Sequence, residues 1–502
     1  MNNPVMRQRA NLDRKFRDTF FAVALLCLIA PAARPGGTID YQPYEYIYSG
    51  QNIHAQLGRL SVPENYEHPD GKSVTLAFVR LKSTASHPGP PIIYLAGGPG
   101  GSAIKLMRGP RGSVFLAMRA AGDVIALDQR GTGLAQPDLN CPGKVDFPLN
   151  EPGAYPEMLR YLIDASRRCA SYWRSRSVDL ATYNVVQNAR DIDLVRQALG
   201  TDKICLWGSS YGTFLGFSIL RHFGDHVSRA IFAGVEGPDD TLKLPGLTED
   251  QLHSLSRMVA ETSALHRQIP DFMTLLREVL TAARQRPFVV PVTGAERTVS
   301  ITLGGADLEQ LVAGMLGERE GFEKLPAMLL AFRNRQWLSP LIQSAAQEMI
   351  KERTGSIGTA MSLVMDCSSG VSPKRLAEIT VTAKGTLLGS AMNFPFPEIC
   401  SAWNVPQIPQ TERMPAHSEV PVLFISGSLD GRTPVGNVEE LLAGFPFGAE
   451  VVIDGAGHGN DLFISSPEIT SLLLTFMTTG RSVTKRIVLP PLQFAALSNA
   501  IN

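Results

Sequence analysis

The sequence has no excess charge of either sign. Of its 502 residues, 47 are Lys or Arg and 47 are Asp or Glu, so the formal net charge is zero. A nucleic-acid partner normally meets a basic face, and none is signalled here. Aromatic residues are few, at 7%, and no repeat or low-complexity tract runs through the chain. No apolar run reaches the roughly 20 residues that a helix needs to cross a bilayer core. No C-x-x-C pair offers thiolates to zinc, and no G-x-x-x-x-G-K-[ST] or G-x-G-x-x-G loop offers a phosphate cradle. No metal or other cofactor is therefore expected. A content of 44% hydrophobic and 19% charged residues excludes a disordered chain. The length allows about two to four domains, or one large core carrying an insertion.

The first residues alter the charge balance. Arg7, Arg9, Arg14, Lys15 and Arg17 precede an uncharged run, Phe20–Ala33, that is too short to span a membrane. A basic start, a short apolar stretch and the small-residue end Ala30-Pro31-Ala32 read as an export signal cleaved near Ala32 or Ala33. Leu26 stands where a lipoprotein site before Cys27 needs a small residue, so no lipid anchor is expected. Residues 1–33 hold five basic and two acidic groups; removing them leaves 42 basic against 45 acidic, a net charge of −3. The expected product is an exported, mildly acidic protein, periplasmic or extracellular, without a stable membrane span and without nucleic acid as partner.

Export permits disulfides. Cys205 lies in an apolar strand-like run and reads as a free core thiol. Cys141, Cys169, Cys367 and Cys400 admit three pairings. Proximity along the chain favours Cys141–Cys169 and Cys367–Cys400.

Residues 34–50 read as a loose arm. Strand-like runs follow at 57–63, 73–83, 91–96, 123–128, 204–207 and 230–235. Helical spacing marks 185–199 and 213–223. Short apolar strands alternating with helices argue for a mostly parallel sheet covered on both faces. Residues 240–415 show helical periodicity and few convincing strands, and alternation resumes at 420–426 and 450–454. The economical division is a signal at 1–33, an α/β core at 34–239 and 416–502, and a helical insertion at 240–415.

Gly208-Ser209-Ser210-Tyr211-Gly212 is a G-x-S-x-G run between a strand and a helix, the context of a nucleophile elbow. Only Ser210 has glycine two residues away on each side. A serine hydroxyl needs a base, and in such folds the order is Ser, acid, His. His458, in Gly455-Ala456-Gly457-His458-Gly459, is the one histidine of nine that follows the strand at 420–426. Asp430 lies just beyond that strand, where α/β active sites collect, and is the expected partner of His458. Glu439, Glu440 and Asp454 are its rivals. A tetrahedral intermediate needs hydrogen-bond donors. The N–H of Tyr211 supplies one. Gly98 in Gly97-Gly98-Pro99-Gly100-Gly101 supplies the other, with Gly97 as second choice.

Together these segments resemble peptidase family S33, the α/β-hydrolases that include prolyl aminopeptidases and secreted tripeptidyl aminopeptidases. Gly97–Gly101 is similar to the family's H-G-G-P-G-G, with Ala96 in place of the histidine. Asp128-Gln129-Arg130-Gly131-Thr132-Gly133 resembles D-Q-R-G-x-G, Gly208–Gly212 resembles G-x-S-Y-G, and Gly427–Pro434 resembles the acid loop. Cys400–Trp403 and Leu60–Tyr66 resemble features of the secreted branch, so the likeness runs from about 55 to 480. It implies an α/β-hydrolase fold with a large helical cap. It also implies an exopeptidase acting on free peptide N-termini, with a carboxylate to hold the substrate's ammonium group. Glu236 is the candidate, with Asp239, Asp240 and Asp366 as others; Ala233 stands where the family has an aspartate. The alternatives are a carboxylic-ester hydrolase taking a small ester and a non-catalytic binding protein. An intact Ser210, Asp430 and His458 set argues against the second.

Overall fold

The computed structural model describes residues 37–294, 298–482 and 484–497. The segment read as an export signal, with Cys27, lies outside them. The strands are β1 (Asp40–Tyr48), β2 (Gln51–Pro63), β3 (Ser73–Leu81), β4 (Gly89–Leu95), β5 (Gly122–Asp128), β6 (Ile204–Ser210), β7 (Val227–Val235), β8 (Phe288–Thr293), β9 (Thr298–Leu303), β10 (Val422–Gly427), β11 (Gly448–Asp454) and β12 (Arg486–Val488). Ten of them form one sheet in the order β1-β2-β3-β5-β4-β6-β7-β10-β11-β12. Pairing is antiparallel from β1 through β3 to β5 and parallel from β5 to β12. The chain has the expected α/β-hydrolase architecture.

The central strands are apolar throughout because both faces are covered. Neighbouring residues point to opposite sides. Ile93, Leu95, Leu206, Phe232 and Phe424 pack under the helices Val185–Leu199 and Tyr211–Phe223. Ile92, Tyr94, Cys205, Trp207 and Ile425 pack against Ala103–Arg108, Gly112–Met118 and Pro467–Thr479. The parallel strands therefore end together, and their C-terminal ends deliver Ser210, Asp430 and His458 to one side of the sheet.

Two expectations need correction. The stretch expected to be a loose arm carries β1, which pairs with β2 along its whole length. Its tyrosines explain why: Tyr46 is fully buried and its hydroxyl donates to the Met107 carbonyl at 2.8 Å. Pro43 reads as a breaker, but β1 is the edge strand, where a missing N–H is tolerated. Second, the chain between β7 and β10 is largely helical, with its own apolar core, yet it contains the hairpin β8–β9. Val290, Val292, Ile301 and Leu303 alternate inward there. Pro291 fits because each strand of a two-stranded sheet keeps a free edge.

The cysteines pair as Cys141–Cys169 and Cys367–Cys400, and Cys205 is reduced and buried. Burial pushes the Cys205 thiol up to about 11. Among the described residues no helix is long and apolar enough to cross a membrane.

Candidate active site

β6 ends at Ser210 and a helix starts at Tyr211, so one residue must make the turn. Ser210 takes φ 54° and ψ −128°, a sparsely populated conformation that costs on the order of 1–3 kcal/mol. The flanking glycines are demanded by crowding. A Cβ on Gly208 would lie 2.8 Å from the Gly212 carbonyl oxygen, and one on Gly212 would collide with the carbonyl of Leu95. A Cβ on Gly97 would lie 2.8 Å from Ser210 Cβ, so the glycine loop after β4 runs directly beside the serine. The Tyr211 N–H heads its helix and has no acceptor within it. Among the described residues the Gly98 N–H makes no hydrogen bond.

His458 Nδ1 lies 2.7 Å from Asp430 Oδ2, and the Asp430 carboxylate is fully buried. Thr433 completes the arrangement. Its hydroxyl donates to Asp430 Oδ2 at 2.6 Å, and its N–H and that of Arg432 donate to Oδ1, each at 2.8 Å. Burial alone would raise the Asp430 pKa, but His458 and the Thr433 donors outweigh it and hold the carboxyl below its ordinary value. The imidazole lies against β7: a Cβ on Gly234 would be 2.8 Å from His458 Cε1. Ser210 stands on the neighbouring strand, paired with Val235. The structure thus joins Asp430 to His458 and holds the imidazole against β7, the strand paired with the one that ends at Ser210. Ser210 Oγ itself makes no hydrogen bond among the described residues.

The D-Q-R run explains itself structurally. Asp128 accepts from Ser102 Oγ at 2.8 Å, from the Ile104 N–H at 3.2 Å and from the Leu134 N–H at 2.8 Å. Gln129 donates to the Ala96 carbonyl at 3.0 Å and is held by Asn188. These bonds grip the glycine loop at both ends. Arg130 is buried in a two-point contact with Asp191, each N···O distance 2.7 Å, and also donates to the carbonyls of Pro63, Glu64 and Thr182.

A contribution absent from the sequence reading comes from residues 316–319. The Gly317 carbonyl accepts from the His458 N–H at 2.5 Å, and the Leu316 carbonyl accepts from the Gly431 N–H at 3.0 Å. The N–H groups of Arg319 and Gly457 share Asp461 Oδ2, each at 3.0 Å. Glu318 lies over the same loop; a Cβ on Gly459 would be 2.5 Å from its Oε1. Burial, reinforced by Asp461, pushes the Glu318 carboxyl up to about 7. No motif flags these residues, because only the folded chain brings them to His458.

The four carboxylates considered for an ammonium group differ in their partners. Glu236 is buried and ion-paired with Lys243 Nζ at 2.7 Å, so its charge is already met. Asp239 accepts from the N–H and the hydroxyl of Ser372, and Asp240 pairs with Arg375. The Asp366 carboxyl group has no hydrogen bond or ion pair among the described residues. Burial, then the nearby Glu236, raises its pKa well above the ordinary value. No group of three or more His, Cys, Asp or Glu among the described residues could hold a metal ion.

Residues 90–460 match the model of the alpha/beta hydrolase fold family, and the chain belongs to that family. Over 192 residues it is 33% identical to the tripeptidyl aminopeptidase of Streptomyces coelicolor, covering 36% of this chain and 35% of that protein. Over 198 residues it is 29% identical to the serine protease Hip1 of Mycobacterium tuberculosis, covering 37% and 36% respectively. Over 190 residues it is 32% identical to the carboxylesterase B of the same organism, with the same coverage. The matches thus span about a third of the length of these relatives. Among solved structures, the proline iminopeptidase of Mycobacterium smegmatis aligns over 84% of this chain and 98% of its own, at 15% identity and a TM-score of 0.39.

Proposed function

We propose that the protein is an exported serine hydrolase and, within that class, an aminopeptidase that releases residues from free peptide N-termini. The observation that supports this reading best is the buried Asp430–His458 pair beside a serine held in a strained turn. In the proposed reaction Ser210 Oγ attacks the scissile carbonyl while His458 accepts its proton, and Asp430 stabilises the imidazolium. The N–H groups of Tyr211 and Gly98 take the oxyanion charge. Collapse of the intermediate passes the proton from His458 to the leaving amine and leaves an acyl-enzyme, which water then hydrolyses by the same steps. Residues 240–415 serve as a cap that limits access to chain ends and excludes water. Glu236 belongs to the ammonium site through the cluster Glu236–Lys243–Asp366, in which Asp366 supplies the carboxyl group without a partner.

A second reading, a carboxylic-ester hydrolase, is favoured by the match to a carboxylesterase. The triad can perform both reactions. Ser210→Ala is expected to abolish labelling by a fluorophosphonate probe, and persistent labelling would refute the nucleophile assignment. Turnover of free but not N-acetylated peptidyl amides supports the aminopeptidase. Turnover of simple esters alone supports the rival.

A further inference from the structure

The stretch after β12 reaches the loop that carries His458 from outside the sheet. β12 pairs with β11, and the Leu489 N–H donates to the Asp454 carbonyl at 3.0 Å. Beyond Leu489 the chain leaves the sheet for the helical span between β7 and β10. Leu492, Phe494 and Leu497 pack against the apolar core of that span. The Gln493 N–H donates to Glu323 Oε1 at 2.8 Å, and the Ala495 N–H donates to the Glu323 carbonyl at 2.9 Å. Glu323 belongs to the helix Arg319–Arg333.

Arg319, the first residue of that helix, is where these parts meet. Its guanidinium donates to the Gly455 carbonyl at 2.8 Å, and to the carbonyls of Pro490 and Pro491 at 2.7 Å and 2.8 Å. Its Nε lies 3.3 Å from Glu323 Oε1. The side chain is 17% exposed, so most of it is shielded from water. A planar fork of five donors reaches three carbonyls and a carboxylate at once; the point charge of a lysine does not.

Gly455 opens the run that ends at Gly459. It has φ 80°, and a Cβ on it would lie 2.9 Å from Arg319 Nη1. The guanidinium therefore sits directly on the backbone three residues before the base. Two residues further on, the Gly457 N–H shares Asp461 Oδ2 with the N–H of Arg319. Arg319 thus holds the loop twice, by its side chain at Gly455 and through Asp461 at Gly457. Three glycines in five residues give this loop little stiffness of its own. Other ties, from the Gly455 N–H to Ser428 Oγ at 2.9 Å and from the Leu429 N–H to the Ala456 carbonyl at 2.8 Å, run to the loop bearing Asp430.

We propose that Arg319 is a positioning residue for His458, braced by the segment 490–495. Its guanidinium acts through the backbone of the loop and not on the reacting atoms. It fixes where the imidazole stands relative to Ser210, and the segment 490–495 fixes the guanidinium. The inference rests on the serine-hydrolase reading and holds whether the substrate is a peptide or an ester.

The test measures turnover per serine titrated to completion with a fluorophosphonate, beside urea unfolding. The substrate is whichever the wild type accepts, p-nitrophenyl acetate or a free tripeptidyl coumarin amide. Counting reactive serines removes the effect of a poorly folded fraction. A shift of about 1 Å at a reacting group costs about 10²-fold, so Arg319→Met is expected to lower kcat by about that factor with KM changed less than about threefold. Arg319→Lys keeps the charge without the fork and should lose about tenfold. A chain ending at Leu489 lacks both proline carbonyls and should also lose kcat at unchanged KM. If the methionine variant fails to fold, the lysine variant and the shortened chain carry the test. Wild-type kcat per titrated serine in either Arg319 variant overturns the proposal even where the urea midpoint has fallen, because the arginine then supports only the fold. Wild-type kcat in the shortened chain overturns the brace. A raised KM at unchanged kcat also overturns the proposal, because it places Arg319 in substrate binding. If the wild type neither takes up the fluorophosphonate nor turns over either substrate, the serine-hydrolase reading itself fails.

Discussion

Glu318 and Asp430 are two carboxyl groups near one imidazole, and their surroundings push them in opposite directions. Asp430 is held ionised by His458 and Thr433. Glu318, lacking such donors, titrates at about 7. Below that pH it is neutral; above it, its charge favours the imidazolium form of His458. Glu318→Gln removes that charge, so the acid limb of the pH profile of kcat/KM should move to lower pH, by up to about one unit. An unmoved limb would show that His458 does not sense Glu318. For Asp430 the linkage has the opposite sign. A depressed carboxyl pKa stabilises the fold above the unfolded value of about 4, and the contribution disappears as pH falls through the folded value. Asp430→Asn should therefore flatten the acid limb of stability in denaturant titrations at successive pH values. It should also lower kcat by about 10⁴. The proposed triad is legible in the sequence because each member sits in a short motif at a strand end. Glu318 is not, because its relation to His458 exists only across 140 residues of folded chain.

At the scale of elements, buried polar anchors do as much to set the site as the strands do. The Arg130–Asp191 pair joins the turn after β5 to the helix Val185–Leu199, and both side chains are nearly inaccessible. Arg130→Met would strand the Asp191 carboxylate, and a loss of about 3–5 kcal/mol is expected in urea unfolding. A loss below 1 kcal/mol would mean that Asp191 finds another partner. The helix 185–199 is visible from apolar spacing alone, and the structure gives it the same limits. Other elements carry weaker signals. β12 has three residues and is held in register by β11. The helix Tyr155–Ser175 buries only Ala165, Ser166, Cys169, Ala170 and Trp173, all from its midpoint onward. β1 is disguised by Pro43. Each of these depends on what the fold lays beside it more than on its own composition.

For the whole molecule, the described residues form one compact unit, although the sheet is assembled from distant stretches of chain. The disulfides close loops of 28 and 33 residues. Loop-closure entropy then assigns about 3–4 kcal/mol to each. Replacing either pair by alanine should lower the unfolding free energy by roughly that amount, read from denaturant midpoints; an unchanged midpoint would remove the disulfide from the account of stability.

The contacts of residues 316–319 have a consequence for how such an enzyme can evolve. The loops bearing Asp430 and His458 each donate a backbone N–H to a carbonyl of the chain between β7 and β10. Shortening that span to widen access would also release the two loops. On the proposed reading of that span as a cap, access to the site and the placement of the two loops depend on the same stretch of chain.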